Sequence, residues 1–181
     1  LNCFEAIYIF CKTAFNGFWR EFPKRWVIED YSEGMVYRII EEQRKLVQRG
    51  VTRPICLVFD DEVGEINFHK SKLFDILATK GRHYHLTVYL TTQYIYKIPP
   101  VIRGNSDYVF LFRNSNERNF RLIAEEFCVG MPKPQFKDFL DEHTQDYHVV
   151  VFDNLKQSND PTEVYSIMRA PSVLPKFIVK V

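Results

Sequence analysis

Six short apolar runs, rich in β-branched and aromatic residues, punctuate the chain with helix-like segments between them, and this alternation restricts the fold more than any other feature. The runs are Ala6-Ile7-Tyr8-Ile9-Phe10, Trp26-Val27-Ile28, Ile55-Cys56-Leu57-Val58-Phe59, Leu86-Thr87-Val88-Tyr89-Leu90, Tyr108-Val109-Phe110-Leu111-Phe112 and His148-Val149-Val150-Val151-Phe152. Most are apolar at successive positions, the pattern of strands covered on both faces. Between them Val36, Ile39, Ile40, Leu46 and Val47 recur at helical spacing after Ser32 and stop at Gly50. Leu73, Ile76 and Leu77 form a second such set, Phe120, Ile123, Ala124 and Phe127 a third, and Phe136, Phe139 and Leu140 after Pro134 a fourth. Strands alternating with helices predict an α/β fold with a mainly parallel sheet. From Pro161 onward, residues 164–168 and 177–181 between prolines read as a last strand or two and an exposed end.

A chain of 181 residues fits one domain with a substantial core. Its 24 Lys and Arg balance 23 Asp and Glu, so no charge excess names a partner, and 46% hydrophobic residues exclude a disordered chain. Apolar runs of five or six residues are too short to cross a membrane, and the start Leu1-Asn2-Cys3-Phe4-Glu5 lacks the basic region of a signal peptide, so an intracellular, soluble protein is expected. The four cysteines, Cys3, Cys11, Cys56 and Cys128, form no CxxC pair and read as small buried hydrophobes.

Ligands of parallel sheets bind off the carboxyl ends of the strands, which directs attention to the residues after each run. Asp60, Asp61 and Glu62 follow the third run, where one carboxylate can serve a magnesium ion and a second can polarise an attacking water. Thr91, Thr92 and Gln93 follow the fourth, offering hydroxyl and amide groups to a γ-phosphate or its water. Arg82, eleven residues before Gln93, suits bidentate contact with a phosphate in its own or a neighbouring subunit. His83 and His85 with His69 lack the spacing of a metal set. Lys12-Thr13 imitates the end of a phosphate loop, but Cys11 stands where glycine is required and no GxxxxGK[ST] sequence occurs in the 181 residues.

Together and in order, Leu57-Val58-Phe59-Asp60-Asp61, Thr79-Lys80-Gly81-Arg82-His83-Tyr84, Val88-Tyr89-Leu90-Thr91-Thr92-Gln93 and Ile102-Arg103-Gly104-Asn105-Ser106-Asp107 resemble the FtsK–HerA superfamily of P-loop ATPases. Within it they are most similar to the genome-packaging ATPases of poxviruses, other large DNA viruses and their virophage and transposon relatives, over roughly residues 5 to 155. Ile7-Tyr8-Ile9-Phe10 followed by Phe18-Trp19 is similar to the second-strand region of those enzymes. The resemblance implies a RecA-like P-loop NTPase core over 1–160, lacking the first strand, the P-loop and its helix, with a terminal strand and tail over 161–181. It implies Asp60 as the magnesium carboxylate, Asp61 as the residue positioning the water with Glu62 as its substitute, Arg82 as an arginine finger and Gln93 as a γ-phosphate sensor. Arg103 and Asn105 are placed near a subunit contact. Magnesium, ATP, double-stranded DNA, a ring of identical subunits and capsid proteins are the implied cofactor, substrate and partners, with no membrane. The implied location is host cytoplasm or virus factory, with association to the virion.

Without a phosphate loop, triphosphate affinity should collapse. The chain is therefore expected to be part of a motor completed by another segment, or a catalytically silent relative that docks on a capsid. A magnesium nuclease built on Asp60, Asp61 and Glu62 accounts for the carboxylates but gives Arg82 and Gln93 no task. Lys70, Lys72, Lys97 and Arg113 are candidates for DNA contact.

Overall fold

The structure, a computed structural model, describes residues 3–61 and 71–172, in two units that divide at Arg103 and Gly104. The first unit holds β1 (Ala6–Phe10), β2 (Val27–Ile28), α1 (Glu33–Gln48), β3 (Ile55–Phe59), α2 (Lys72–Lys80), β4 (Leu86–Leu90) and the one-turn α3 (Pro100–Gly104) at its end. Its four strands pair in the order β2-β1-β3-β4, all parallel. Phe10 lies beside Phe59 and Phe59 beside Leu90, so β1, β3 and β4 end in step.

Strand alternation sends Phe10, Leu57, Phe59 and Leu86 to one face, where Val36 and Ile40 of α1 and Leu73, Phe74 and Leu77 of α2 complete the core. Phe10 stacks on Phe59 with centroids 4.9 Å apart, and Phe74 meets Phe59 edge-on at 5.0 Å. Ser32 does precede α1, but its hydroxyl caps nothing. The other end is closed by hydrogen bonds: Gly50 N–H donates to Val47 at 2.9 Å and Val51 N–H to Leu46 at 3.0 Å, with Gly50 in the left-handed region at φ 69°. α2 is capped by Ser71 Oγ, which accepts from Leu73 N–H at 3.2 Å.

The second unit holds β5 (Tyr108–Leu111), α4 (Glu117–Phe127), α5 (Lys133–His143), β6 (His148–Asp153), α6 (Pro161–Val164) and β7 (Tyr165–Arg169). The mainly parallel sheet expected is that of the first unit, and β5-β6-β7 here form a separate antiparallel sheet. The central strand β6 is covered on both faces, Val149 to Phe152 all being buried, so its unbroken apolar run looks like that of a parallel strand. Residues 177–181, read as a terminal strand, lie outside the described residues.

Around Tyr165, Phe136, Phe139 and Phe152 have centroids at 5.9, 5.4 and 5.7 Å. The Tyr165 hydroxyl donates to the Phe127 carbonyl and accepts from Val129 N–H at 2.8 Å. Burial pushes this phenol up to about 12. No helix of the described residues is long and apolar enough to cross a membrane.

Gly50 and Gly130 both have positive φ, at 69° and 68°, but differ in surroundings. A Cβ on Gly50 meets nothing within 4 Å, whereas one on Gly130 lands 2.5 Å from the Asn159 carbonyl and 2.6 Å from Pro161 Cδ. Urea unfolding is expected to cost about 1 kcal/mol for Gly50→Ala, the conformational cost alone, and about 3 kcal/mol for Gly130→Ala, where strain and overlap add. For Tyr165 the raised pKa favours the neutral phenol in the fold, so its contribution is whole below pH 10 and is lost as pH rises towards about 12. Tyr165→Phe should be less stable at pH 8 by about 1 kcal/mol and should lose less stability than the parent between pH 10 and 12.

Candidate functional site

One residue beyond the paired ends of β1, β3 and β4 come Cys11, Asp60 and Thr91, and the backbone ladder carries them on in register. Asp60 N–H donates to the Phe10 carbonyl at 2.9 Å and Thr91 N–H to the Phe59 carbonyl at 3.0 Å. Alternation turns all three side chains to the sheet face opposite Phe10 and Phe59, in one row. Thr91 Oγ1 donates to Asp60 Oδ1 at 2.9 Å, and Cys11 Sγ donates to Asp60 Oδ2 at 3.4 Å. From the segment between β1 and β2, Trp19 Nε1 also donates to Asp60 Oδ2, at 3.3 Å.

Asp61 takes the left-handed conformation at φ 55°, which an Asp side chain tolerates better than most. This turn lets its N–H donate to Thr91 Oγ1 at 3.0 Å, while its exposed carboxylate accepts from Gln93 Nε2 at 3.3 Å through Oδ2. The Thr91 hydroxyl therefore joins both aspartates, as donor to the side chain of one and acceptor from the backbone of the other. The two carboxylates differ in freedom: Asp60 is half-buried with donors on both oxygens, and Asp61 is exposed with one oxygen held.

Of the residues expected at the site, Asp60, Asp61 and Gln93 come together. Glu62 lies outside the described residues, as do His69 and Lys70. Arg82 is exposed in the 3-10 turn before β4. It sits at the amino end of a five-residue strand whose carboxyl end carries Thr91, a separation of roughly 16 Å at strand rise, so it does not join the carboxylates of its own sheet. Arg103 is buried and its Nη1 donates to the Ile98 carbonyl, which ties it into its own fold, while Asn105 is exposed at the start of the second unit. Lys72, Lys97 and Arg113 are exposed, Lys97 with its ammonium 5.1 Å from the Tyr94 ring centroid.

The reading of the cysteines as buried hydrophobes holds for Cys56, whose thiol burial pushes up to about 12. It fails for Cys3, which is exposed, and is incomplete for Cys11, which is buried but spends its S–H on Asp60. Cys11 and Trp19 are the partners that reasoning from strand ends missed. Counting one step past three strands of equal end would have found Cys11, but nothing in sequence spacing announces Trp19.

Two adjacent carboxylates, not a cage of three or more ligands, form the described donor set. That set suits magnesium, which takes one or two carboxylates, keeps several waters and draws its remaining oxygens from substrate phosphates. A cavity of about 480 Å3 lined by Tyr8, Met35, Ile39 and Leu46 lies at the other end of β1 and β3, away from these groups.

The Thr91 bridge gives a stability test. Thr91→Val keeps the shape of the side chain and removes both hydrogen bonds, and is expected to cost about 1 to 2 kcal/mol in urea unfolding, with Thr91→Ser recovering most of it.

No family model matches the chain. Among curated proteins it is 32% identical over 140 residues to the uncharacterized protein 075L of Invertebrate iridescent virus 6, covering 76% of this chain and 54% of that protein. It is 28% identical over 158 residues to the uncharacterized protein 088R of Invertebrate iridescent virus 3, covering 86% and 60%. The chain thus spans little more than half the length of these relatives. Among solved structures it is similar to the genome packaging NTPase B204 of Sulfolobus turreted icosahedral virus 2 in complex with AMPPCP, with a TM-score of 0.58 at 15% identity over 82% of this chain and 67% of that one. The DNA-packaging ATPase B204 of Sulfolobus turreted icosahedral virus gives 0.58 at 14% identity, over 79% and 65%. The chain has the α/β fold of these NTPases, with a four-stranded parallel sheet.

Proposed function

We propose that this chain carries the carboxylate and sensor side of an ATP-hydrolysing motor of the FtsK–HerA type that packages double-stranded viral DNA. The observation that supports this reading most is the row at the strand ends, in which Asp60 and Asp61 are joined through Thr91 and Gln93 reaches Asp61. Likeness in fold to two packaging NTPases and in sequence to iridescent-virus proteins points the same way.

Asp60 would hold magnesium, which when bound supplies charge neutralisation for the triphosphate. Asp61, exposed and turned out by its left-handed backbone, is the carboxylate free to orient the attacking water and accept its proton. Gln93, bonded to Asp61, links that carboxylate to the γ-phosphate. The phosphate loop that the 181 residues do not contain is, in this reading, supplied by further chain of the kind that makes the relatives longer. Arg82, at the far end of β4, serves a neighbouring copy in a ring, contributing a guanidinium to the transferred phosphoryl group. Double-stranded DNA in the ring and capsid protein beside it are the proposed partners.

The test is ATP turnover by the polypeptide extended to the length of the iridescent-virus relatives. Hydrolysis should require magnesium and stop with EDTA. Asp60→Asn and Arg82→Ala should each lower turnover by about 100-fold or more, with Arg82→Ala rescued by mixing with Asp60→Asn subunits, since each supplies what the other lacks. Wild-type turnover in both variants overturns the assignments.

A further inference from the structure

The Asp60 carboxylate has about four lone-pair positions, and three are engaged by donors from three separate segments. Thr91 takes one on Oδ1 at 2.9 Å, and Trp19 and Cys11 share Oδ2 at 3.3 and 3.4 Å. Among the described residues, two donors on Oδ2 and one on Oδ1 leave the second lone pair of Oδ1 as the open acceptor. Trp19 belongs to the segment between β1 and β2, and its ring is itself held, edge-on to Phe18 at 5.0 Å and to Phe22 at 5.6 Å. A partly buried indole N–H usually takes a partner, and the partner of this one is a carboxylate 41 residues away at the end of a neighbouring strand.

We infer that Trp19, assisted by Cys11, is a positioning residue for the divalent-cation site: it holds Asp60 in one orientation and reserves Oδ1 for the cation or a water bound to it. The inference rests on the proposed hydrolytic reading of the row. Hydrogen-bond partners of metal-binding carboxylates commonly change metal affinity by about 10- to 100-fold when removed. Trp19→Phe removes the N–H and keeps an aromatic ring, whereas Cys11→Ser keeps a donor and Cys11→Ala removes it.

The experiment uses Mn2+ as the probe, alone and with ATP. Free Mn2+ is counted by electron paramagnetic resonance for the chain, its variants and the polypeptide extended to the length of the relatives. Of the two tryptophans, Trp26 is replaced by Phe in a separate variant so that quenching by bound Mn2+ reports on Trp19 alone. Circular dichroism and melting temperature are followed for every variant. The expected result is Mn2+ binding that quenches Trp19, is abolished by Asp60→Asn, weakens about tenfold in Trp19→Phe and Cys11→Ala, and stays near the parent value in Cys11→Ser. Should Trp19→Phe fail to fold, the Cys11→Ala and Cys11→Ser pair decides the same question. Parent-like Mn2+ affinity in folded Trp19→Phe and Cys11→Ala overturns the inference and leaves the hydrolytic reading standing. Absence of Mn2+ binding with ATP by the polypeptide extended to the length of the relatives, or binding unaffected by Asp60→Asn, overturns that reading itself.

Discussion

The lateral register of three parallel strands, Phe10 beside Phe59 beside Leu90, is the constraint on which the rest of the first unit depends. Side chains alternate from face to face along a strand, so a slip of one residue would exchange the two faces. Asp60 would then turn into the apolar layer under α1 and α2, and Phe59 would leave it. The burial that favours Phe10 and Phe59 against Phe74 is therefore the same free energy that places Cys11, Asp60 and Thr91 in a row on the opposite side.

Core and site are thus not independent. The stacked rings fix which residue is last in the sheet, and the carboxylates are the next polar groups beyond it. Burying a carboxylate beside an apolar sheet is costly unless its oxygens are matched by donors, and here donors come from the ends of β1 and β4 and from the segment that leaves β1. Asp61 escapes that demand by leaving the strand direction in a left-handed turn. The same short stretch thereby contains one carboxylate held rigidly and one open to solvent, a division suited to holding a cation with one and handling a water with the other.

Much of this was legible in the sequence. The six apolar runs marked six of the seven strands among the described residues to within about two residues, because β-branched and aromatic clusters leave few alternatives to a buried strand, and the segment 164–168 marked the seventh. Asp60, Asp61 and Gln93 could be named because polar residues directly after a buried parallel strand have nowhere to lie but the carboxyl end of the sheet. The antiparallel pairing of β5, β6 and β7 could not be read, since the central strand of an antiparallel sheet covered on both faces has the same continuous apolar pattern as a parallel one.

Local chemistry along the chain determined where strands and helices begin and end, the left-handed stop at Gly50, and which carboxylates stand at a strand end, since each follows from residues within a few positions of one another. Tertiary structure alone decided that Cys11 donates a hydrogen bond to Asp60 and is not merely a buried hydrophobe, that Arg103 is tied to the Ile98 carbonyl, and that Trp19 reaches a carboxylate 41 residues on. The reason is physical: a hydrogen bond across strands depends on which strands are neighbours and in what register, and that is settled by the packing of the whole sheet against its helices.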